Sequence, residues 1–290
     1  MVITFWGTRG SIPVPGESTI KYGGNTPCVH ILTDEERNII IDAGTGIRGL
    51  GKELKQNSSN ELDLFISHTH WDHIHGLPFF APLYNSKTLL NIHLHDNFSP
   101  NKIIETQLHS SFFPIDKDEL TANIKYAPID ISKEIKIGNV EVRTVKVHHS
   151  KGTVAFKFTE NEKSVVYMTD NEIFCEQESN DKKPDKILEL NSSLIEFCYG
   201  SDYLIHDSMY NHNDFIKKKG WGHSDNISLA YFSMYAKVKN LVLFHYEPDY
   251  KDSEIDKLEF ETQQLIKDNN SKIKCIASFE GMKIHTQGIE

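Results

Sequence analysis

The segment SHTHWDHIHG, residues 67–76, places four imidazole rings around one carboxylate, at His68, His70, Asp72, His73 and His75. It directly follows the apolar run LDLFI, which has the length and composition of a buried β-strand. Side chains alternate along a strand, so His68 and His70 point to the same side where it ends. The chain then turns and brings Asp72 and His73 to the same place. Imidazole and carboxylate groups are ligands of zinc, so the segment predicts a metal site.

Histidines buried in an ordinary core are the alternative explanation for this segment. The chain contains 15 histidines, and a single buried ring is commonly satisfied by hydrogen bonds. Several converging rings are different, because they repel one another once they are protonated. Metal binding therefore fits the segment better than core packing does.

The composition is that of an ordinary globular protein of 290 residues, with 38% hydrophobic and 25% charged residues. The net charge of −10 argues against broad binding to a phosphate backbone, which requires a basic face. A small anionic substrate stays compatible, since a bound metal supplies positive charge. The opening MVITFWGTRG lacks the pattern of a secretory signal, and no apolar run reaches the roughly 20 residues of a membrane span. We therefore expect a cytoplasmic protein without a membrane anchor.

The four cysteines, Cys28, Cys175, Cys198 and Cys275, are far apart in the sequence and form no CxxC pair. Scattered cysteines in a chain of this size are typical of reduced, mostly buried thiols in a cytosolic protein. A disulfide between two of them is the less favoured interpretation.

Short β-branched and aromatic runs that end near Gly, Asn, Asp or Ser predict strands. They include VITFW, NIIIDAG, LDLFIS, LLNIHLH, VEVRTVKV, SVVYM, YLIHD and LVLFH. Helical patterns lie between them, as in SDNISLAYFSMYAKV, which offers Ser224 or Asp225 as N-cap. In DSEIDKLEFETQQLIKDNN, Ser253 and Asp256 predict an imperfect capping box. Interleaved strands and helices predict a layered α/β fold, and no linker composition divides residues 1–290 into separate domains.

Further candidate ligands stand where other predicted strands end. VKVHHSKG ends a strand with His148 and His149, VVYMTD ends one with Asp170, and LVLFHYEP ends one with His245. Two divalent ions roughly 3.5–4 Å apart need a bridging carboxylate. Asp170 is the candidate for this bridge.

These motifs resemble the metallo-β-lactamase superfamily and, within it, the phosphodiesterase branch that includes ribonuclease Z. The similarity covers nearly the whole chain. FWGTRGSIPVPG, YGGNTPCVHI and IIIDAGTGIRGLG resemble N-terminal segments of the family, and SHTHWDHIHGLPFF resembles its metal motif. KGWGHSDN and LVLFHYEPDY resemble its C-terminal histidine motifs. The resemblance implies a four-layered αββα sandwich that forms one hydrolase domain over residues 1–290.

The resemblance also implies which residues bind two zinc ions per chain. The first ion would be held by His68, His70 and His149, and the second by Asp72, His73 and His245, with Asp170 between them. His149 is preferred to His148 because HSKGTVAF resembles the family pattern HPGGxxGY. The sequence leaves zinc and manganese open as the working metal.

Two positions discriminate among the chemistries of the superfamily. Di-iron oxygen-reducing members carry Glu where this chain has His70, and lactamases of the commonest type carry Cys where it has Asp170. The resemblance therefore implies a phosphodiester hydrolase. Hydrolysis of thiolesters or lactams is one alternative, and a metal-bearing binding module without activity is another.

Two catalytic roles are implied in the same way. Asp72 would accept a proton from the attacking water, and His223 in GWGHSD would donate a proton to the leaving oxygen or stabilise it. The alternative for His223 is a structural role at the start of the helix near Ser224. His206 and Asp207 are expected to support the site without binding a metal.

The substrate implied by the resemblance is a cyclic mononucleotide. Ribonuclease Z enzymes usually carry a long Gly/Pro-rich or basic arm, whereas the segment between Leu90 and Asn139 is mixed in charge. FWGTRGSIPVPG, YGGN and GWGHS look most like cyclic-nucleotide phosphodiesterases, including phage anti-Pycsar proteins that hydrolyse cCMP and cUMP. Cyclic AMP and cyclic GMP are further candidates, and tRNA 3′-end processing is the alternative function.

Substrate-binding residues stay unassigned. A base could stack on an aromatic ring, but core packing is the favoured interpretation for each candidate, namely Trp6, Tyr22, Phe112, Phe113 and Trp221. Family members are homodimers, which implies a homodimer here with SSFFP, residues 110–114, as a candidate interface loop. The biological role, whether bacterial housekeeping or phage anti-defence in the host cytoplasm, is not fixed by the sequence.

Overall fold

The computed structural model describes residues 1–54, 61–95, 100–176 and 186–287. The chain forms two compact units. The first unit comprises Met1–Val140 and Phe279–Glu290, and the second unit comprises Glu141–Ser278. The prediction of one domain over residues 1–290 stays a prediction.

Each run predicted from the sequence forms a strand, whereas Cys28–Leu32, Asn123–Ile129, Ile135–Ile137 and Lys283–His285 were not predicted. The strands of the described residues fall into two sheets. They are β1 (Val2–Gly7), β2 (Cys28–Leu32), β3 (Asn38–Ile41), β4 (Glu61–Ile66), β5 (Leu89–His95), β6 (Asn123–Ile129), β7 (Ile135–Ile137), β8 (Val140–Lys146), β9 (Val154–Glu160), β10 (Lys163–Met168), β11 (Tyr203–Asp207), β12 (Asn240–Phe244), β13 (Lys274–Ala277) and β14 (Lys283–His285).

The first sheet has the strand order β14-β1-β2-β3-β4-β5-β6. Strands β3 to β6 run parallel, and the register pairs Ile41 of β3 with Phe65 of β4. Parallel strands end at the same edge of a sheet. The residues that follow β3 and β4, Asp42 and Ser67, are therefore neighbours at that edge.

The second sheet has the strand order β13-β12-β11-β10-β9-β8-β7. Strands β10 to β13 run parallel, so they also end at a common edge. Asp170 follows β10 by two residues, Asp207 is the last residue of β11, and His245 directly follows β12. The topology alone thus brings two carboxylates and one imidazole together from three separate parts of the sequence.

Burial follows the periodicity of the sequence. Every residue of β3 and every residue of β12 after Asn240 is buried, as expected of continuous apolar strands that are covered on both faces. Strand β8 alternates instead, with Val140, Val142 and Thr144 buried and Glu141 and Arg143 exposed. The alternation of VEVRTVKV predicts such a strand, with one face buried and the other exposed to solvent.

Helices connect the strands in both units. They are α1 (Ile47–Leu54), α2 (Trp71–Ile74), α3 (Pro100–Gln107), α4 (Ile187–Leu190), α5 (Ser192–Cys198), α6 (His212–Lys218), α7 (Asn226–Tyr235) and α8 (Asp252–Asp268). The described residues contain no helix that is both long and apolar enough to cross a membrane.

The two predicted helix starts have different outcomes. Asp225 caps α7, because its Oδ1 accepts hydrogen bonds from the backbone N–H groups of Ile227 and Ser228 at 2.9 and 3.1 Å. The capping box predicted for Ser253 and Asp256 is wrong. The N-cap of α8 is Lys251, two residues before Ser253, and the Glu254 carboxylate accepts the backbone N–H of Lys251 at 2.8 Å.

The prediction of buried thiols is confirmed. Cys28, Cys175, Cys198 and Cys275 are all buried, and none forms a disulfide. Cys28 lies in the first unit, and the other three lie in the second.

The capping carboxylate of α7 generates a prediction about pH. Asp225 Oδ1 lies 3.1 Å from His212 Nδ1 and raises the pKa of His212 above its ordinary 6.5. A raised pKa stabilises the fold below the unfolded-state pKa, and this contribution is lost as pH rises through the folded-state value. His212→Gln should therefore lower the free energy of unfolding by about 0.2–1 kcal/mol near pH 6. The difference should shrink in the alkaline range when urea unfolding is measured across pH.

The Asp225→Asn background serves as the control for this prediction. There the same His212→Gln change should lose its pH dependence, because the charge that raises the pKa is gone. A pH dependence that persists in this background would assign the effect to another partner of His212.

Candidate functional site

The first cluster comprises His68, His70, Asp72 and His73 and lies where β4 ends. The single turn of α2 carries Asp72 and His73, and His70 precedes it as N-cap. The ring of His68 lies 4.4 Å from that of His70 and 4.3 Å from that of His73, centroid to centroid. His68 and His73 are fully buried, whereas His70 is exposed. The structure thus brings these four predicted residues together within the first unit.

Asp42 anchors the first cluster from the end of β3. Its Oδ1 accepts the backbone N–H of Ser67 at 2.8 Å, and its Oδ2 accepts the Ser67 hydroxyl at 2.9 Å and His73 Nδ1–H at 2.8 Å. Asp42 is fully buried. One carboxylate therefore fixes both the loop that leaves β4 and the orientation of a ring in α2.

These contacts also fix the tautomers of two histidines. Because His73 donates from Nδ1 to Asp42, its Nε2 carries the lone pair. Ser67 donates its only hydroxyl hydrogen to Asp42, so it accepts from His68 Nδ1, 3.1 Å away. His68 then also carries its lone pair on Nε2. A neutral imidazole held through Nδ1 is the usual arrangement of a metal-binding histidine.

His73 Nε2 lies 3.3 Å from Asp72 Oδ2. Two acceptors at this distance repel each other unless a cation or a proton lies between them. The nitrogen and oxygen donors of the first cluster therefore fit a divalent ion such as zinc.

The second cluster comprises His149, Asp170, Asp207, His223 and His245, all in the second unit. Asp170 Oδ1 lies 3.1 Å from His245 Nε2, and its Oδ2 lies 3.6 Å from His149 Nε2. His149 donates from Nδ1 to the Gly222 carbonyl at 2.9 Å, so its Nε2 is an acceptor that faces a carboxylate. The donor chemistry of Asp170 and His149 repeats that of the first cluster and fits a cation in the same way.

Asp207 joins His223 to the rest of the second cluster. Its Oδ2 lies 2.5 Å from His223 Nδ1 and 3.7 Å from His245 Nδ1. The rings of His223 and His245 stack at 5.2 Å with an interplanar angle of 16°. Asp170, Asp207, His223 and His245 each offer one ligand atom, and these atoms all lie within 4.8 Å of one another. His223 is thus part of the cluster and is not the cap of α7, which is Asp225.

Three residues just beyond strand ends have left-handed backbones. The φ angles are +60° at Asp42, +47° at Asp170 and +60° at His245. This conformation is unfavourable for residues other than glycine, by about 1–3 kcal/mol at each position. Such backbone strain is retained where neighbouring residues hold the side chain in one direction. Here it turns each side chain back toward its own cluster.

The other histidines that the sequence singled out take supporting positions. His148 stacks on Phe174 at 4.0 Å between centroids and lies near the Glu172 carbonyl. His206 is buried and donates from Nδ1 to the Asp207 carbonyl at 2.7 Å, and its burial lowers its pKa. His75 donates from Nδ1 to the Trp71 carbonyl at 2.6 Å. It is therefore His149, rather than His148, that the structure places beside Asp170.

The aromatic candidates for base stacking separate by exposure. Tyr22 is only 1% exposed and belongs to the core. Phe112 is 79% exposed and Trp221 is 64% exposed. Trp71 was not among these candidates, and it is 81% exposed between His70 and Asp72. Exposed rings of this size can receive a ligand, whereas Tyr22 cannot.

Sequence reasoning missed Asp42. The run NIIIDAG was interpreted only as a buried strand, although its aspartate follows the strand directly. The signal that could have identified it is its position. Asp42 directly follows β3, and β3 pairs with β4, the strand that precedes the histidine segment. That pairing is a long-range contact, which local periodicity does not encode.

The model of the Beta-lactamase superfamily domain matches residues 37–246, which include both clusters. The chain belongs to this family. Its α/β metallo-β-lactamase fold and its resemblance to the phosphodiesterase branch, both predicted from the sequence, are confirmed.

Individual proteins of this family are similar over nearly their full length. Ribonuclease Z of Picrophilus torridus is 25% identical over 280 residues, which cover 86% of this chain and 87% of that protein. The metallo-beta-lactamase fold protein YhfI of Bacillus subtilis superposes with a TM-score of 0.70 at 17% identity and covers 98% of both chains. Unliganded yeast PDE1 superposes with a TM-score of 0.67 at 16% identity, covering 97% of this chain and 98% of that one.

Asp42→Asn should weaken divalent-metal binding about 10–100-fold, as loss of a partner behind a ligand histidine commonly does. The asparagine amide turns an N–H group toward a histidine or serine donor and favours the wrong tautomer of His73. Competition with a chromophoric chelator measures the affinity, and circular dichroism checks that the variant is folded.

Asp63→Asn is the matched control for this change. Asp63 is a carboxylate in β4 that is 1% exposed and lies 2.9 Å from His93 Nε2. Its loss should leave metal affinity within about two-fold of wild type. Equal losses in both variants would mean that general destabilisation, rather than the tautomer of His73, sets the affinity.

Proposed function

We propose that this protein is a metal-dependent phosphodiesterase that hydrolyses cyclic mononucleotides. The observation that carries the proposal is the donor set of the two clusters. In each cluster, imidazole Nε2 atoms face carboxylate oxygens while Nδ1 atoms are held by other groups. Similarity to ribonuclease Z proteins and to yeast PDE1 supports phosphodiester chemistry over hydrolysis of lactams or thiolesters.

The family resemblance implies a pair of divalent ions. The ligands would be His68, His70 and His149 for one ion and Asp72, His73 and His245 for the other, with Asp170 as the bridge. Zinc suits this mixture of nitrogen and oxygen ligands, and manganese is the other candidate. When bound, the ions would lower the pKa of a water and offset negative charge on the phosphate oxygens.

Asp72 is the proposed acceptor of the proton from the attacking water. It is 6% exposed, and its Oδ2 accepts the backbone N–H of Ser11 at 2.8 Å. This hydrogen bond fixes the carboxylate plane, so that an oxygen atom can serve as general base in a constant direction. The role is additional to metal binding by the same residue.

His223 is the proposed proton donor to the leaving oxygen. Its Nδ1 lies 2.5 Å from Asp207 Oδ2, and that carboxylate in turn accepts the backbone N–H groups of Met209 and Ser224 at 3.1 Å each. A carboxylate held in this way orients the imidazole and stabilises its protonated form. The protonated ring then presents Nε2–H as the acid.

The acidic charge of the chain supports a small substrate. A net charge of −10 is unfavourable for gripping a long polyanion, whereas a mononucleotide carries one phosphate that metal ions can neutralise. The substrates proposed first are cCMP and cUMP, and cAMP and cGMP follow. Removal of an immune signal of this kind is the proposed biological role.

The second candidate function is tRNA 3′-end processing. The observation that favours it is the similarity to ribonuclease Z of Picrophilus torridus, which extends over 87% of that protein. Both candidates use the same metal ligands and the same acid, so they differ only in the substrate that the surface admits. A homodimer acting in the cytoplasm is part of the proposal for either function.

Direct comparison of substrates tests the proposal. Zinc-loaded and manganese-loaded protein should convert at least one of cCMP, cUMP, cAMP and cGMP to the mononucleotide, and should leave a precursor tRNA intact. Asp170→Ala should reduce turnover to background, because the carboxylate facing both His149 and His245 is removed. Liquid chromatography of the nucleotides and gel analysis of the tRNA give the readouts.

His75→Gln is the matched control in that experiment. It removes a histidine from the same segment, and the structure places that ring on the Trp71 carbonyl rather than in a cluster. Its turnover should equal that of wild type. Cleavage of precursor tRNA alone would replace the first candidate by the second, and a protein inert toward both kinds of phosphodiester would refute both.

A further inference from the structure

A buried glutamate holds the loop that carries His223. Glu172 is only 4% exposed and follows Asp170 by two residues. Its Oε1 and Oε2 both accept the backbone N–H of Gly220, and its Oε2 also accepts that of Gly222, each at 2.9 Å. Hydrogen bonds to an ionised carboxylate are about twice as strong as neutral ones. The two glycines on either side of Trp221 are thus tied to one charged group.

The loop conformation depends on these two glycines. Their φ angles are +89° at Gly220 and +84° at Gly222, which lie in the left-handed region that glycine adopts without strain. A turn of this kind directs both N–H groups inward to the carboxylate. The side chain between them, Trp221, is left 64% exposed.

Gly222 transmits this restraint to a histidine of the second cluster. Its carbonyl accepts His149 Nδ1–H at 2.9 Å, which leaves the lone pair of His149 on Nε2 beside Asp170. The approach is so close that a Cβ atom on Gly222 would lie 2.3 Å from His149 Nδ1. Gly222 therefore sets the tautomer and the position of His149, and it directly precedes His223.

We propose that Glu172 is a positioning residue, whose hydrogen bonds to Gly220 and Gly222 jointly orient His149 and His223. The inference rests on the proposed function only for its effect on turnover. Its geometric part, the link from the Glu172 carboxylate through Gly222 to His149, concerns the protein without substrate.

Other contacts hold the flanks of the loop. The Ser224 hydroxyl donates to the Asn171 carbonyl and accepts the backbone N–H of Ile173 at 3.1 Å. Lys219 Nζ donates to the Cys175 carbonyl at 3.0 Å. The loop should therefore stay attached at both ends when Glu172 is changed. Its central turn should be the part that moves.

Glu172→Gln is the direct test. The glutamine oxygen can replace only one carboxylate oxygen, and its amide NH₂ then faces a backbone N–H of the loop. In metal-free protein, the imidazole ¹⁵N and Nδ1–H signals of His149 and His223 should shift or broaden. The signal of His206 should not move, because its Nδ1–H donates to the Asp207 carbonyl and its ring contacts Asn171 rather than Glu172.

Glu259→Gln is the matched control. Glu259 also accepts a backbone N–H through its carboxylate, that of Ala277 at 3.1 Å, but it lies on α8. The histidine signals and the turnover of this variant should equal those of wild type. The comparison separates loss of the loop clamp from loss of a negative charge in the same unit.

Turnover gives a second readout for the proposal. Glu172→Gln should reduce kcat for a cyclic nucleotide about 10–100-fold with KM nearly unchanged. The loss should be smaller for bis-p-nitrophenyl phosphate, whose leaving group needs no proton from His223. A structural defect alone would lower both activities equally.

Gly222→Ala keeps the test decisive if Glu172→Gln fails to fold. This change leaves the carboxylate in place and displaces His149 through the added Cβ, so the same two histidine signals should shift. Unchanged His149 and His223 signals in a folded Glu172→Gln protein would overturn the inference. If the signals shift but the wild type hydrolyses no phosphodiester, the positioning role stands and the proposed function fails.

Discussion

The hydrogen bonds of the buried Asp42 carboxylate are the constraint on which the first cluster depends. Asp42 and Ser67 are adjacent only because β3 and β4 run parallel and end at one edge of the sheet. Ionised groups without partners are costly to bury, so the carboxylate draws the Ser67 hydroxyl and His73 Nδ1 to itself. These hydrogen bonds set the tautomers of His68 and His73. Without the parallel pairing of β3 and β4, Asp42 and Ser67 would not be adjacent and the first cluster would not form.

In the second unit, different groups hold the histidine rings in place. Here the strand ends supply Asp170, Asp207 and His245, while a backbone carbonyl at Gly222 and the carboxylate of Asp207 hold the histidine Nδ1 atoms. The strained backbones at Asp170 and His245 show that the fold gives up some stability to aim these side chains. Each cluster is therefore oriented by groups of its own unit, before any ligand is bound.

The parts of this arrangement that periodicity and motif spacing encode were predictable. Apolar runs located the strands, and the histidine motif located the first cluster, because both signals are local. The start of α8 was not, because Glu254 and Asp256 both offer a carboxylate for a capping box and only the geometry of the helix decides between them. Asp42 and Glu172 could not be predicted from the sequence for another reason. Their importance lies in contacts with residues 25 to 50 positions away, and without those contacts each is one more acidic residue.

The buried cysteines have a practical consequence. Burial raises the pKa of all four thiols, so the reactive thiolate is scarce while the protein is folded. An alkylating reagent can then react only during transient opening of the surrounding structure. Cys28 reports on the first unit, and Cys175, Cys198 and Cys275 report on the second. Mass spectrometry of the modified peptides would thus time the opening of each unit separately, with no introduced label.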